Sequence, residues 1–416
     1  MGVLILLLLA ACRDRSRLNP YDPQNPNTQG RPTGLSVTAV LDTIRVSWEP
    51  MRLRDLTGYT LYRKLAQESD FSRLAELPPE THQYQEQSNL FGIGHSYRLV
   101  ANVGDLSSPP SNEVTITPGP TLTWVADVND GTLIKLTHDG RHELLRTFAF
   151  PAPARVTFDA RRGNVWVLDG RTRRLSRINP VGRQQRDYDE FSAPVDLVLD
   201  SGDGCVWVAD TLSNSLRRYD PNSGLQSKND NLPKLAALAF NPYFNELWAI
   251  HQTGRELLRI SKQAALMQRL TLPAAAEEKP FDIAVHAASG SAWLSLGGRV
   301  VRVDQNARLL GASSYAFRKA LRLAVDQSSG ECWVIDESVQ VRASRVLKLD
   351  VHGNVLLQCE GFDRPQGLAV NPFDATCYVA DSWRSRVVQI SKSGEMQTIF
   401  SALRTPIDVE VVSLLP

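Results

Sequence analysis

Few residues in this chain have types and spacings suited to chemistry. Five aspartates close a short motif led by an aromatic side chain: Trp124-Val-Ala-Asp127, Trp166-Val-Leu-Asp169, Trp207-Val-Ala-Asp210, Trp333-Val-Ile-Asp336 and Tyr378-Val-Ala-Asp381. Two further motifs, Trp248-Ala-Ile-His251 and Trp293-Leu-Ser-Leu296, lack the acid. Such carboxylates either accept hydrogen bonds from the next turn or hold calcium, which takes about six to eight oxygens. Set on separate repeats, they are too far apart to share one ion, so the turn role is expected. The seven histidines do not gather into a site. His82 and His95 lie in the N-terminal third, and His138, His142 and His352 fall near turns. His251 and His286 end different strands, which places them on opposite faces. No Gly-x-Ser-x-Gly, His-Glu-x-x-His, Cys-x-x-Cys or phosphate-loop pattern occurs. No catalytic residue, metal ligand or cofactor is therefore assigned.

Arginine is the other chemical signal. The segments after the motifs read Gly170-Arg-Thr-Arg-Arg174, Thr253-Gly-Arg255, Gly297-Gly-Arg299, Gln340-Val-Arg342 and Trp383-Arg-Ser-Arg386. Arginine matches carboxylates and phosphates, and arginine with exposed tryptophan is typical of contact surfaces. Arg173, Arg174, Arg255, Arg299, Arg342, Trp383, Arg384 and Arg386 are the candidate partner-binding residues. A second cationic series stands 11 residues after the aromatic: Lys135, Arg177, Arg218, Arg259 and, as a polar variant, Gln389. Arg302 follows at nine and Lys348 at fifteen, even offsets that keep opposed residues on one face of a hairpin. Each ring should face its cation across the hairpin. A cation–π pair of this kind contributes about 0.5–2 kcal/mol. The alternative is a ring of cations for an anionic ligand.

These motifs are positioned by a repeat. The aromatics are spaced 42, 41, 41, 45, 40 and 45 residues apart, the period of a strand-rich propeller blade. A strand signal precedes each aromatic, most clearly Pro194-Val-Asp-Leu-Val-Leu-Asp200, Pro280-Phe-Asp-Ile-Ala-Val-His286 and Pro365-Gln-Gly-Leu-Ala-Val-Asn371. Others follow it, such as Leu175-Ser-Arg-Ile178 and Val387-Val-Gln-Ile390, so a unit holds four antiparallel strands. Pro365 to Asp381 resembles the NHL repeat family, which implies a β-propeller. The repeat begins at the second strand of a unit and ends on an orphan inner strand, Pro406-Ile-Asp-Val-Glu-Val-Val412. Pairing the two closes the ring without free edges. Residues 121–416 are expected to form a seven-bladed propeller.

Residues 31–118 carry seven short alternating strands, at 34–40, 43–48, 58–64, 73–77, 81–86, 95–103 and 112–117, the pattern of an antiparallel sandwich. Pro32-Thr-Gly-Leu35, Val46-Ser-Trp48, Gly58-Tyr-Thr-Leu-Tyr62 and Ser96-Tyr-Arg-Leu-Val100 resemble a fibronectin type III domain. That resemblance implies a corner tyrosine at Tyr97 and a spacer role. Residues 13–30 hold Pro20, Pro23 and Pro26 among polar residues and read as a tether.

The N-terminus has one apolar run, Val3 to Ala11, too short to span a bilayer, which needs about 20 residues. It ends in Leu9-Ala10-Ala11-Cys12, which resembles the lipobox of bacterial lipoprotein signal peptides, so residues 1–12 are read as signal and Cys12 as the lipidation site. No Lys or Arg precedes the run, a departure from that pattern. By the same family logic, Arg13 rather than aspartate after the cysteine leans towards an outer-membrane location. Cys205, Cys332, Cys359 and Cys377 are expected as buried small hydrophobes; were any bridge present, Cys359–Cys377 would be the first choice. With 46 basic against 45 acidic side chains, the chain lacks the basic excess of nucleic-acid binders. The expectation is an all-β, extracytoplasmic, lipid-anchored binding scaffold that offers a propeller face to a protein or anionic glycan. The alternative is a propeller hydrolase or lyase of the gluconolactonase or antibiotic-lyase type.

Overall fold

The computed structural model describes residues 22, 25, 29–53, 55–253, 256–272 and 279–415. Cys12 and most of the tether lie outside the described residues, as does Arg255. The chain divides into two compact units, Met1–Gly119 and Pro120–Pro416. Among the described residues every regular element is a strand except the short 3-10 turn Ser382–Arg384, and no helix is long and apolar enough to cross a membrane.

The first unit is a two-sheet sandwich. One sheet runs Ser36–Val40, Thr43–Ser47, Gln83–Gln87. The other orders Ser72–Leu77, Gly58–Leu65 and His95–Val103, with Leu106–Ser107 and Val114–Ile116 both pairing the last of these. Alternation explains the core: Val37, Ile44, Val46, Leu61, Tyr97 and Leu99 point inward from their strands and are buried. Trp48 packs edge-on against Tyr59 at 5.6 Å. Tyr59 Oη accepts the Met51 N–H at 2.8 Å, and Tyr97 Oη donates to Glu86 at 2.7 Å. Both phenols thus meet the requirement that a buried hydroxyl be partnered.

The second unit contains seven four-stranded antiparallel sheets. Six are consecutive in the chain, with inner strands Pro153–Asp159, Pro194–Leu199, Leu235–Asn241, Asp282–His286, Ala320–Val325 and Pro365–Val370. The remaining one, taken as the first sheet, draws its inner strand, Pro406–Ser413, from the C-terminus and pairs it with Thr121–Asp127. Each inner strand touches the inner strands of the sheets before and after it, so the seven close a ring.

Registers bear out the hairpin reading. Trp124 faces Lys135, Trp166 faces Arg177, Trp207 faces Arg218 and Trp248 faces Arg259. Trp293 faces Arg302, Trp333 faces Lys348 and Tyr378 faces Gln389. Four of these cations, Lys135, Arg218, Arg302 and Lys348, sit 5.5–6.0 Å from the opposed ring centroid. Arg259 instead stacks on Phe244 and pairs with Glu246 at 2.8 Å, while Arg177 donates to the Pro221 carbonyl of the next sheet. All seven anchors are fully buried, and the four cations cover the rings opposite them within the sheet. Cys205, Cys332, Cys359 and Cys377 are buried free thiols. Cys359 and Cys377 share one apolar cluster across the sixth and seventh sheets without a bridge between them.

Removing residues 405–416 strips the inner strand of the first sheet and leaves Thr121–Asp127 as a bare edge. The expected outcome is loss of the cooperative melting transition and rapid proteolysis within 121–147. This exceeds the roughly 1–3 kcal/mol attached to any single buried hydrogen bond. A truncated chain that melts like the full one would contradict the closure.

Candidate functional site

The axis of the ring is a channel with a cavity of about 320 Å3. Near the start of nearly every inner strand the register slips by one residue. Such a bulge re-aims the side chain that follows. In sheet order the residues at this level are Asp408, Arg155, Asp196, Ala237, Asp282, Arg322 and Gly367. Five of the seven are charged, three acids and two arginines, and all five line the cavity.

The carboxylates bridge sheets. Asp408 accepts the Val156 N–H at 2.9 Å, Asp196 the Leu238 N–H at 2.8 Å and Asp282 the Leu323 N–H at 2.9 Å, each from the next sheet round the ring. Arg155 reaches forward to Asp196 at 3.3 Å, and Arg322 donates to the Gln366 carbonyl at 3.2 Å. At the closing seam Gly367 has no side chain: a Cβ there would lie 2.8 Å from the Asp408 Cα and the Val409 nitrogen. One level deeper stand Glu410, Thr157, Val198, Ala239, Ala284, Ala324 and Ala369, so Glu410 is the only acid of that layer. Glu410 accepts from Thr157 Oγ1 at 2.9 Å and from the Phe158 N–H at 3.4 Å.

Enclosure by the channel walls disfavours the ionised forms. Burial pushes Asp282 up to about 7, with repulsion from Asp196 adding to it. Burial likewise lifts Asp408 to about 6 despite the Arg155 charge, and Glu410 to about 8. No histidine lines the cavity. Among the described residues no three His, Cys, Asp or Glu side chains converge as a metal site.

The motif aspartates have a wider role than a turn cap. Asp169 accepts from the Arg171 and Thr172 N–H groups of its own turn, and from the Ala152 N–H at 2.8 Å. Asp127, Asp210, Asp336 and Asp381 likewise bind backbone N–H groups just before the inner strand of a sheet: Arg404 and Thr405, Ser192 and Ala193, Arg318 and Lys319, and Asp363. They tie two loops together on the face of the ring where the arginine-bearing segments lie.

That face is mixed rather than uniformly cationic. Arg174 pairs with Asp187 at 3.0 Å, and Arg386 with Asp381 at 2.8 Å, so both belong to the scaffold. Arg299 is half-buried. Arg173, Arg342 and Arg384 are exposed. Trp383 is 56% exposed, with the Arg364 guanidinium 4.2 Å from its ring centroid. Beside them stand apolar loop residues not singled out from sequence: Val339 at 83% and Val341 at 69% exposure. Their signal was present in the segment Ser338-Val-Gln-Val-Arg342, whose valines follow a completed strand. The channel acids also left a trace, the Pro-x-Asp recurring at Asp196, Asp282 and Asp408.

No protein-family model matches the chain, and no curated protein matches it in sequence. Solved structures do match in shape. A functionally unknown protein from Desulfotomaculum acetoxidans DSM 771 superposes with a TM-score of 0.58 at 13% identity, over 70% of this chain and 99% of the other. A putative 6-phosphogluconolactonase from Bacteroides uniformis ATCC 8492 gives 0.57 at 12% identity, over 70% and 99%. An inactive variant of virginiamycin B lyase from Staphylococcus aureus gives 0.51 at 13% identity, over 67% and 87%. The second unit is a β-propeller. At such identities the likeness is one of fold, and function has to be argued from the site.

The channel carboxyls set a pH dependence. Their folded values lie above the ordinary 3.8 and 4.5, so from about pH 4 upward the folded state holds protons that the unfolded chain has released. Stability then falls as pH rises towards about 8. Asp203 runs the other way: burial opposes ionisation there, but hydrogen bonding from Lys262 pulls it down to about 2, and its contribution is lost only below about pH 4. The melting temperature should therefore drop between pH 5 and 8.5, by about 2–4 °C for each kcal/mol lost in a large domain. Asp282→Asn, which keeps an acceptor for Leu323, should flatten that slope and raise the melting temperature at pH 8. An unchanged slope in calorimetry would contradict the assignment.

Proposed function

We propose that this chain is an exported lipoprotein, anchored through Cys12, that holds a seven-bladed NHL-like propeller away from a membrane and offers its loop face to a partner. The tether and a fibronectin type III-like spacer supply the distance. Support for the spacer comes from the strand order of the sandwich, three strands against a set centred on Gly58–Leu65 and His95–Val103, and from the buried, hydrogen-bonded Tyr97.

The observation that carries the binding role is the exposure of Val339, Val341 and Trp383 on the same face as the exposed Arg342 and Arg384. Large apolar groups rimmed by polar ones mark interaction surfaces. The channel acids and Arg155, by contrast, accept or donate bonds that join neighbouring sheets, which suits a rigid support. A second reading, a hydrolase or lyase, draws on Asp282 and Glu410. Carboxyls that stay protonated near neutral pH are suited to general-acid work. Turnover of a lactone that is lost in Glu410→Gln, with melting unchanged, would favour it.

A photo-crosslinking residue placed at 383 or 339 in the native host should capture a discrete partner. The same residue at 243, an exposed position on the opposite face, should not. Capture from 243 alone, or from none of the three, would overturn the loop-face reading. In the same cells Cys12→Ser should move the chain from the membrane to the soluble fraction; retention on the membrane would remove the lipid anchor from the account.

A further inference from the structure

The sixth and seventh sheets meet at a patch whose charge is lopsided. Four of its acids are already engaged, and a fifth, Asp363, is buried. Glu337 pairs with Lys319 at 2.5 Å, Glu360 with Arg345 at 3.2 Å and Asp381 with Arg386 at 2.8 Å. Asp336 takes the Arg318 and Lys319 N–H groups and the Tyr315 hydroxyl. The arginines are not matched in return. Arg318 donates to Ser338 and the Ala343 carbonyl, Arg384 to the Gly361 carbonyl, and Arg364 lies over Trp383. Arg342 stands exposed at the tip of its loop. Among the described residues no carboxylate lies within ion-pairing distance of Arg318, Arg342, Arg364 or Arg384.

The patch is continuous through the loop joining the two sheets. Ser344, two residues past Arg342, pairs with Phe362. Gly361 accepts from Arg384 and Arg386, and the Trp383 N–H donates to the Asp363 carbonyl at 3.1 Å. At its edge is a cavity of about 440 Å3 walled by Arg318, Lys319, Glu337, Ser338, Val339 and Gln340.

We infer that this seam binds an acidic peptide segment of a partner protein, one that sets a bulky apolar side chain among Val339, Val341 and Trp383 while its carboxylates meet the four arginines. The inference rests on the loop-face reading and narrows it. Two observations select the ligand class. Four cations without carboxylates call for negative charge, and arginine pairs with carboxylates in a two-pronged geometry. The exposed valines call for an apolar group, since covering them with sugar hydroxyls would strip those hydroxyls of water without replacing their hydrogen bonds. Arg364 already occupies one side of the Trp383 ring, which leaves less of it for stacking on a sugar.

The test uses the full chain carrying Cys12→Ser, immobilised and panned against a random dodecapeptide display library. Enriched sequences should flank Leu, Phe or Trp with Asp or Glu. By fluorescence anisotropy, Arg342→Glu with Arg384→Glu should weaken a selected peptide by about tenfold or more, equivalent to about 1.4 kcal/mol. Trp383→Ala should do the same, with melting temperatures unchanged in both variants. Four results would overturn the inference: no enrichment, neutral or basic sequences, peptides indifferent to these substitutions, or a sulfated oligosaccharide binding more tightly. The photo-crosslink at 383 would still succeed in any of these cases if the partner presented other chemistry, so the two readings fail separately.

Discussion

A ring of sheets has an awkward centre. Each inner strand is an edge, with a row of backbone N–H and C=O groups facing a narrow channel, and unpaired edges are costly in a folded interior. In this chain side chains from the sheet before bond such groups at four of the seven seams. Asp408, Asp196 and Asp282 accept N–H groups of Val156, Leu238 and Leu323 across three seams. Arg155 and Arg322 reach across two others. Where Gly367 stands, backbone meets backbone instead. The closing strand Pro406–Ser413 contributes both the hydrogen-bonded edge that completes the first sheet and the first carboxylate of this set. Outside the channel, apolar clusters pack each sheet on the next, and the links across the channel add to that packing.

This arrangement bears on what the molecule can do. A carboxylate that accepts a neighbour's backbone N–H is fixed in place, and moving it opens a seam. The charged layer of the channel therefore acts first as a structural belt, even though burial has shifted its carboxyls into the range where acid–base chemistry operates. The loops on the face of the motif aspartates are under no such obligation beyond their bases. Asp127, Asp169, Asp210, Asp336 and Asp381 pin each loop where it leaves the strand, and the tips carry Arg173, Val339, Arg342 and Trp383 outward. A rigid support with pinned but variable loops is a common way to build a recognition surface.

The architecture was readable from sequence because it repeats. Aromatics at intervals of 40–45 residues, each with a cation or, at Tyr378, a glutamine at an offset that preserves hairpin parity, leave little freedom for the register, and the observed pairs Trp293 with Arg302 and Trp333 with Lys348 follow from that parity. The candidate site was less legible, for a physical reason. Alternation along a strand says which residues share a face, but a bulge at the start of the inner strands turns Asp196 and Arg155 into the channel, and bulges leave weak marks in sequence. Loop arginines were visible as a composition. Which of them were tied down, as Arg174 is by Asp187 and Arg386 by Asp381, depended on partners 13 and 5 residues away in sequence that meet them only in the folded sheets.

Hydrogen exchange at three amides tests the belt most directly. The N–H groups of Val156, Leu238 and Leu323 point towards a channel that water can enter, and only the carboxylates of the preceding sheets hold them. Exchange at these sites should be as slow as at the sheet-bonded amides beside them, near the limit set by global unfolding. In Asp408→Ala the Val156 amide alone should speed up by orders of magnitude, with Leu238 and Leu323 still protected. Fast exchange at all three in the unmodified protein would mean that the carboxylates do not join the sheets.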